Sequence, residues 1–513
     1  MTEATLALTL DVGTSSTRVL VWDASGRELD GIRAQVQYQM HTTSDGGVFM
    51  DAVELRSHIA DCLDQALVQL GDRASAIKAV GMSAFWHSVI GLDADGEPVT
   101  ALYNWADQRS GAVARRLRRD LDAHGIHQRT GCVLHSSYYP AKLVWLRETQ
   151  RALYDRVVRW ASPSEYLYGC WFGPTARRVS VSMASGTGLF NQQQNRWDEE
   201  TLRLIDIPEE KLAAIVNLSD RAQGLQEPWA ARWPALKDVP FFPAIGDGAC
   251  GNVGSGCITP QRFAINLGTS GAIRALWTEA ALPVISADHQ KVTVHASQLV
   301  IPAGLWRYRA DDRRPLLGAS FSDGGVVYAW MLRTLQLPSA EELEHQIAAM
   351  EPGTHGLTFM PFLAGERSMG WNSEAQAAFL GMNLDTSAVE MVRAAMEAIA
   401  LRFALAAKRL RDVFPQATEI IASGGVFAHS PTWAQMFADA IGQPMTLALE
   451  SEASSRGAAL LALEAAGLLA SAAETEARMG QTFVPQPEFH ARYQEMLALQ
   501  QKYYNQLIDQ NIV

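Results

Sequence analysis

Charge is thin here and of the wrong sign for a polyanion. Ionisable Asp, Glu, Lys and Arg make up 19% of 513 residues and the formal net charge is −12, which argues against nucleic acid as a partner. Cysteine is scarce too: the five present (Cys62, Cys132, Cys170, Cys250 and Cys257) form no C-x-x-C pair and are odd in number, so buried free thiols in a reducing cytoplasm are expected. No apolar run approaches the roughly 18 residues needed to cross a bilayer, since even ALLALEAAGLLA contains Glu464. The opening MTEATLALTLDVG has no basic head, and Asp11 cuts its apolar stretch before it reaches signal-peptide length. These absences together predict a cytoplasmic chain with no membrane partner.

What is present is the material of a large folded core. Apolar residues make up 48%, with 39 Gly and 21 Pro. At roughly 150 residues per domain the length suits two large domains or three ordinary ones. An internal repeat favours two: LDVGTSSTRVLVW (Leu10 to Trp22) and INLGTSGAIRALW (Ile265 to Trp277) share Gly-Thr-Ser and a tryptophan at the same offset, 255 residues apart. Each copy runs from a buried strand through a polar residue, Asp11 or Asn266, into a glycine turn. The turn exposes backbone N–H groups beside hydroxyls, a concave donor site suited to phosphate oxygens. Two domains of one core topology facing each other across a cleft are therefore expected, divided as 1–252 and 253–513 near the small residues of GDGACGNVGSG.

Between these landmarks strands and helices alternate, as in an α/β fold. Leu55, Ile59, Leu63 and Leu67 share one helical face, and IKAVGMS follows as a buried strand. Ser387 and Glu390 have capping-box spacing at the head of a helix carrying Met391, Ala395, Ile399 and Phe403 inward. EIIASGG is then a strand ending in a glycine turn, with a helix after it around Trp433, Phe437 and Ile441. The stretch with Phe489, Tyr493, Leu497, Tyr504 and Leu507 reads as a surface-packed helix without chemistry.

The ordered pieces DVGTSSTRVLVWD, YNWADQRS, TGCVLHSSYYPAKLVWL, GDGACGNVGSG, NLGTSGAIRALW, FMPFLAGERSMGWN and GGVFAHSPTW resemble the FGGY carbohydrate kinases, from about Leu6 to Leu468. That resemblance implies two ribonuclease-H-like domains of the actin-like ATPase kind around a catalytic cleft, with ATP and Mg²⁺ as cofactors and a small sugar as partner. It implies that Asp11 holds Mg²⁺, that Thr14 and Ser15 face the transferred phosphate, and that Asp247 is the catalytic base and a second metal contact. Gly268, Thr269, Gly324, Gly325, Gly424, Gly425 and His429 fall on the ATP side. His87, Trp105, Asp107, Arg109 and Tyr138, with Asp247, fall on the sugar side. Glu366 and Arg367, by themselves an exposed loop pair, are implied to shape the nucleotide side.

Within the family, His87-Ser88, TGCVLH, GTSGAIR and GERSMGWN look most like gluconate kinases, although Trp86 stands where that pattern has methionine. The carboxylate of a sugar acid would need a cation or donors, for which Arg109, His87 and His135 are the candidates. The alternatives are a kinase for xylulose, ribulose or another ketose or polyol, and a catalytically silent actin-like sensor of sugar or nucleotide. The presence of both Asp11 and Asp247 favours catalysis. A homodimer is compatible with the chain.

Overall fold

The computed structural model describes residues 5–279, 282–285, 291–294 and 299–508. The outermost residues of both expected domains, 1–4 and 509–513, therefore lie outside the described residues. Among the described residues no helix is long and apolar enough to cross a membrane.

The repeat seen in the sequence is a repeat of topology. One sheet orders its strands Ile245–Gly246, Ile77–Ala84, Leu6–Val12, Ser16–Asp23 and Glu28–Gln37. The first three are parallel and the last two antiparallel hairpin partners. The second sheet repeats this order with Met445–Ala448, Glu419–Ser423, Arg262–Leu267, Gly271–Leu276 and Pro315–Phe321, and adds Met479–Phe483 and Trp306–Arg309 at its two edges. Its pairings carry the same senses, parallel on one side of Arg262–Leu267 and antiparallel on the other. The two Gly-Thr-Ser turns thus occupy equivalent places, each joining the central strand to its hairpin partner.

The predicted helices form where the periodicity put them. Ala52–Leu70 is capped by Asp51, whose carboxylate accepts from the Val53 and Glu54 amides, and it buries Leu55, Ile59 and Leu63 under the first sheet. Ala388–Val413 opens on a capping box made by Ser387 and Glu390 and buries Ala395, Ile399 and Phe403. Such a cap contributes about 1 kcal/mol by satisfying amides that have no partner within the helix. Pro431–Ile441 and Pro487–Leu507 complete the second layer.

The small-residue stretch between the halves forms a helix, Asp247–Gly254. Its glycines permit close packing against the helix Ala453–Ala465: a Cβ on Gly254 would lie 1.8 Å from the Ala453 carbonyl, and one on Gly457 would lie 1.9 Å from that of Cys250. Ala453–Ala465 also lies against the strands Leu6–Val12 and Ile77–Ala84, so Leu460, Leu461 and Ala462 belong to the first core although they come late in the chain. Arg456 on this helix is buried and donates to the carbonyls of Gly26 (2.9 Å), Gly254 (2.6 Å) and Glu476 (2.8 Å).

Candidate active site

Register alone brings the two sequence-predicted acids together. Asp11 is the penultimate residue of Leu6–Val12 and pairs across the sheet with Ser83. Ser83 in turn pairs with Ile245, and Asp247 follows two residues later as the first residue of its helix. The two carboxylates therefore flank one strand end. Burial raises the pKa of each above the ordinary aspartate value. For Asp11 the neighbouring Ser83 and Arg18 act against that rise, while the Asp247 charge adds to it. For Asp247 the opposing influences are Arg274, the Gly248 amide and Arg367. Gly248 N–H donates to Asp247 Oδ1 at 2.7 Å.

The glycines around Asp247 make room for what surrounds it. A Cβ on Gly246 would lie 1.9 Å from Trp86 Cε2, so the indole packs directly on the backbone that delivers the acid. Trp86 is held there by its Nε1–H to the Ser182 carbonyl, 2.9 Å. A Cβ on Gly248 would lie 2.8 Å from Arg274 Nε, which lets a guanidinium from the second half close on Asp247.

The sugar-side residues converge in part. His87 has φ of +65°, a conformation uncommon outside glycine, and its ring sits 5.0 Å from Tyr138 and 5.2 Å from Tyr308. Its Nδ1 bonds to the Gly186 carbonyl, so Nδ1 carries the proton and Nε2 is left as an acceptor. Burial, with Arg367 next, holds its pKa well below the usual histidine value. His135 is the opposite tautomer. Its Nδ1 accepts from the Ser137 amide at 3.2 Å, which puts the proton on Nε2, and that atom has no hydrogen-bond partner among the described residues. Tyr138 and Tyr308, one from each half, share a hydrogen bond of 2.5 Å between their hydroxyls. Lys142 is buried beneath them and donates to the carbonyls of Ser137 (2.5 Å) and His87 (3.4 Å). Desolvation lowers its pKa to about 7, with Asp107 opposing and Arg367 assisting.

Asp107 and Arg109 do not offer free groups to this pocket. They are committed to each other through a forked contact, 2.6 Å at its closest, and Asp107 also accepts from the Val48 amide at 3.0 Å. The Arg109 guanidinium stacks on Trp145, 4.8 Å from the ring centre, and lies over Phe49 and Tyr103 as well. The pair braces the Trp105 loop; its charges are satisfied within it.

The expectation for Glu366 and Arg367 is corrected on two points. They are buried, 3% and 9% exposed, and they are not paired with each other. Glu366 binds Arg402 and accepts from the Tyr504 hydroxyl at 2.6 Å, which gives the C-terminal helix a part in the site's support. Arg367 points toward residues expected from sequence on the sugar side. Its guanidinium lies 5.0 Å over Trp105 and 6.0 Å from Trp371, and it bears electrostatically on His87, His135, Tyr138 and Asp247. Trp371 meets His135 edge-on at 5.4 Å and Tyr138 at 5.9 Å. Arg274, Tyr308, Arg367 and Trp371 are the residues that local sequence patterns did not mark as sugar-side.

On the other side, Thr14 and Ser15 occupy the first glycine turn, where Gly13 N–H donates to the Ser16 carbonyl at 3.0 Å. The glycine turns of the second half touch one another. Gly325 N–H donates to the Gly268 carbonyl at 2.7 Å and Val326 N–H to that of Thr269 at 3.1 Å. Gly424, at φ +109°, approaches so closely that a Cβ would lie 2.2 Å from the Leu267 carbonyl. Thr269, Gly425 and His429 are exposed beside them.

The N-terminal domain of the FGGY family of carbohydrate kinases matches residues 6–254, and the C-terminal domain of that family matches residues 264–466. A gluconokinase of Bacillus subtilis (strain 168) is 25% identical over 488 residues, covering 93% of this chain and 90% of that protein. A glycerol kinase of Aromatoleum aromaticum is 29% identical over 461 residues, 89% of each. Among solved structures, a gluconate kinase from Lactobacillus acidophilus superposes with a TM-score of 0.87 at 25% identity over 98% of both chains. A xylulose kinase from the same organism superposes equally well, TM-score 0.87, over 99% of both.

Proposed function

This chain belongs to the FGGY family of carbohydrate kinases, and from that premise we propose that it transfers the γ-phosphate of ATP to the terminal hydroxyl of D-gluconate, giving 6-phosphogluconate. It is a phosphotransferase with an alcohol acceptor and ATP as donor, built on two ribonuclease-H-like halves of the actin-like ATPase fold. In the proposed division, residues 1–252 bring the sugar and the base, and 253–513 the nucleotide.

The observation that carries the chemistry is the meeting of Asp11 and Asp247 at one strand end. Asp247 acts as general base: burial raises its pKa, which brings its proton affinity nearer to what accepting a hydroxyl proton requires. Arg274, closing on it over Gly248, then balances charge that gathers on the transferred phosphoryl group. Asp11 and Asp247 fit a hard divalent cation, because two buried carboxylates that repel each other are relieved by one. Among the described residues no group of three or more His, Cys, Asp or Glu is placed to hold a metal ion. Mg²⁺ keeps water and phosphate oxygens among its ligands. When bound there, Mg²⁺ supplies screening of phosphate charge. Thr14 and Ser15 orient the phosphate from the first turn. Gly268, Thr269, Gly324, Gly325, Gly424, Gly425 and His429 line the nucleotide's path. On the sugar, His87 Nε2 accepts from one hydroxyl, Tyr138 orders another, and Trp105 with Trp371 forms the apolar wall.

Gluconate is favoured over neutral sugars by two supports. Gluconokinases are among the full-length relatives, and among the described residues the Nε–H of Arg367 and the Nε2–H of His135 are both buried without a hydrogen-bond partner. ADP release should be measured with gluconate, xylulose, ribulose and glycerol in parallel. Turnover is expected with gluconate foremost, and turnover confined to a sugar without an acid group would overturn the choice of substrate.

A further inference from the structure

We propose that Arg367 is the specificity-determining residue: together with the Nε2–H of His135, its guanidinium receives the carboxylate of a sugar acid and so selects such acids over neutral polyols. This assignment rests on the sugar-acid reading above and names the residues that would execute it.

Four observations lead to it. First, Arg367 is a buried cation without a matching anion. Buried Arg402 and Arg314 are paired with Glu366 and Asp311, and buried Arg456 is satisfied by three backbone carbonyls. Arg367 forms no ion pair among the described residues, although Asp247 lies within its electrostatic reach. A buried, unpaired charge is costly to maintain, and one at the wall of a substrate pocket is readily explained by a ligand that neutralises it. Second, Arg367 Nε and His135 Nε2 are both buried and both lack a hydrogen-bond partner among the described residues. Both are donors, so what would satisfy them is an acceptor, and a carboxylate presents two acceptor oxygens.

Third, the stacking on Trp105 and the approach to Trp371 cover the face of the guanidinium. Its N–H groups lie in the edge, which stacking leaves open, and the edge is where a carboxylate docks. Fourth, the surroundings are short of protons. His87, His135 and Lys142 all have depressed pKa values, in each case by burial first and with Arg367 also contributing. An anion placed among them would relieve that depression. Arg109, the cation expected from sequence to serve this purpose, has its own acid partner and an aromatic cage.

The test is kinetic and uses a neutral isostere. D-gluconamide keeps every hydroxyl of D-gluconate and replaces only the acid group. The wild type should prefer gluconate over gluconamide by at least about tenfold in kcat/KM, as expected for a charge-assisted hydrogen bond. In Arg367→Gln that preference should vanish: kcat/KM for gluconate falls about 10- to 150-fold, chiefly through KM, while gluconamide stays within about threefold. Arg367→Lys, which keeps the charge and loses the fork, should recover part of the loss. A retained preference in Arg367→Gln would overturn the assignment while leaving the substrate reading standing. So would an equal loss on both compounds in a variant whose unfolding temperature and ADP affinity match the wild type. A wild type that favours gluconamide or a neutral sugar would overturn the substrate reading and this assignment with it.

Discussion

Replacing Asp247 by Asn separates the proposed base from the scaffold with almost no change in shape. The amide can keep its oxygen toward Gly248 N–H, so the 2.7 Å contact survives. What disappears is the ability to accept a proton and the negative charge facing Arg274 and Arg367. General-base catalysis contributes about 100- to 10,000-fold, or roughly 2.7–5.5 kcal/mol of barrier, so kcat should fall by that factor while the Kd for ATP moves little. Stability should move the other way. The native carboxylate has a pKa raised by burial, meaning that its charged form is less favourable in the fold than in the unfolded chain. The stability this group contributes is present when it is protonated and is lost as pH rises through the raised value. An uncharged Asn avoids that loss, so the variant's unfolding temperature at pH 7, measured without nucleotide or Mg²⁺, should equal or exceed the wild type's. Steady-state kinetics, nucleotide titration and thermal unfolding suffice. Turnover within threefold of wild type would refute the role of base, and lost turnover with a lowered unfolding temperature would show Asp247 to be structural.

Two further outcomes follow from the same geometry. Burial lowers the pKa of Lys142 to about 7, so it titrates around neutrality; a carboxylate arriving near it, against the opposing charge of Arg367, raises that value. Gluconate binding should therefore take up a fraction of a proton, read as a binding enthalpy that changes with the buffer's ionisation enthalpy, and buffer-independent heats at pH 7 would contradict it. Gly424→Ala forces a Cβ into a backbone conformation at φ +109° and to 2.2 Å from the Leu267 carbonyl. A loss of about 1–3 kcal/mol and weaker ATP binding are expected by thermal unfolding and titration, and a variant equal to wild type in both would show the turn to be slack.

The parts legible in sequence were those written by local rules. The duplicated strand and Gly-Thr-Ser turn, the Asp51 cap and the Ser387–Glu390 box depend on neighbours a few residues away, and each reappears in its expected place. Asp11 and Asp247 were marked by their motifs, and sheet register brings them together. The second half's contribution to the sugar side was not legible. Arg274, Tyr308, Arg367 and Trp371 reach it across the interface from strands and loops whose own patterns record only burial. The WADQR segment shows the converse: its sequence marks Asp107 and Arg109 as separate polar groups, and only the fold shows the forked contact between them. The close contact that the glycines of GDGACGNVGSG make between two helices was not legible in their sequence.

That contact has a temporal side. Because Ala453–Ala465 covers the sheet that begins at Leu6, the first-made half leaves the ribosome with an apolar face bare. At roughly 5–20 residues per second, synthesis of the two hundred or so residues that separate Gly254 from Ala465 takes about 10–40 s. Throughout that interval the sheet is without this cover. Arg456 ties the finished arrangement together, its guanidinium donating to the carbonyls of Gly26 and Gly254. A stalled or clipped message would thus yield a sticky fragment instead of a working lobe.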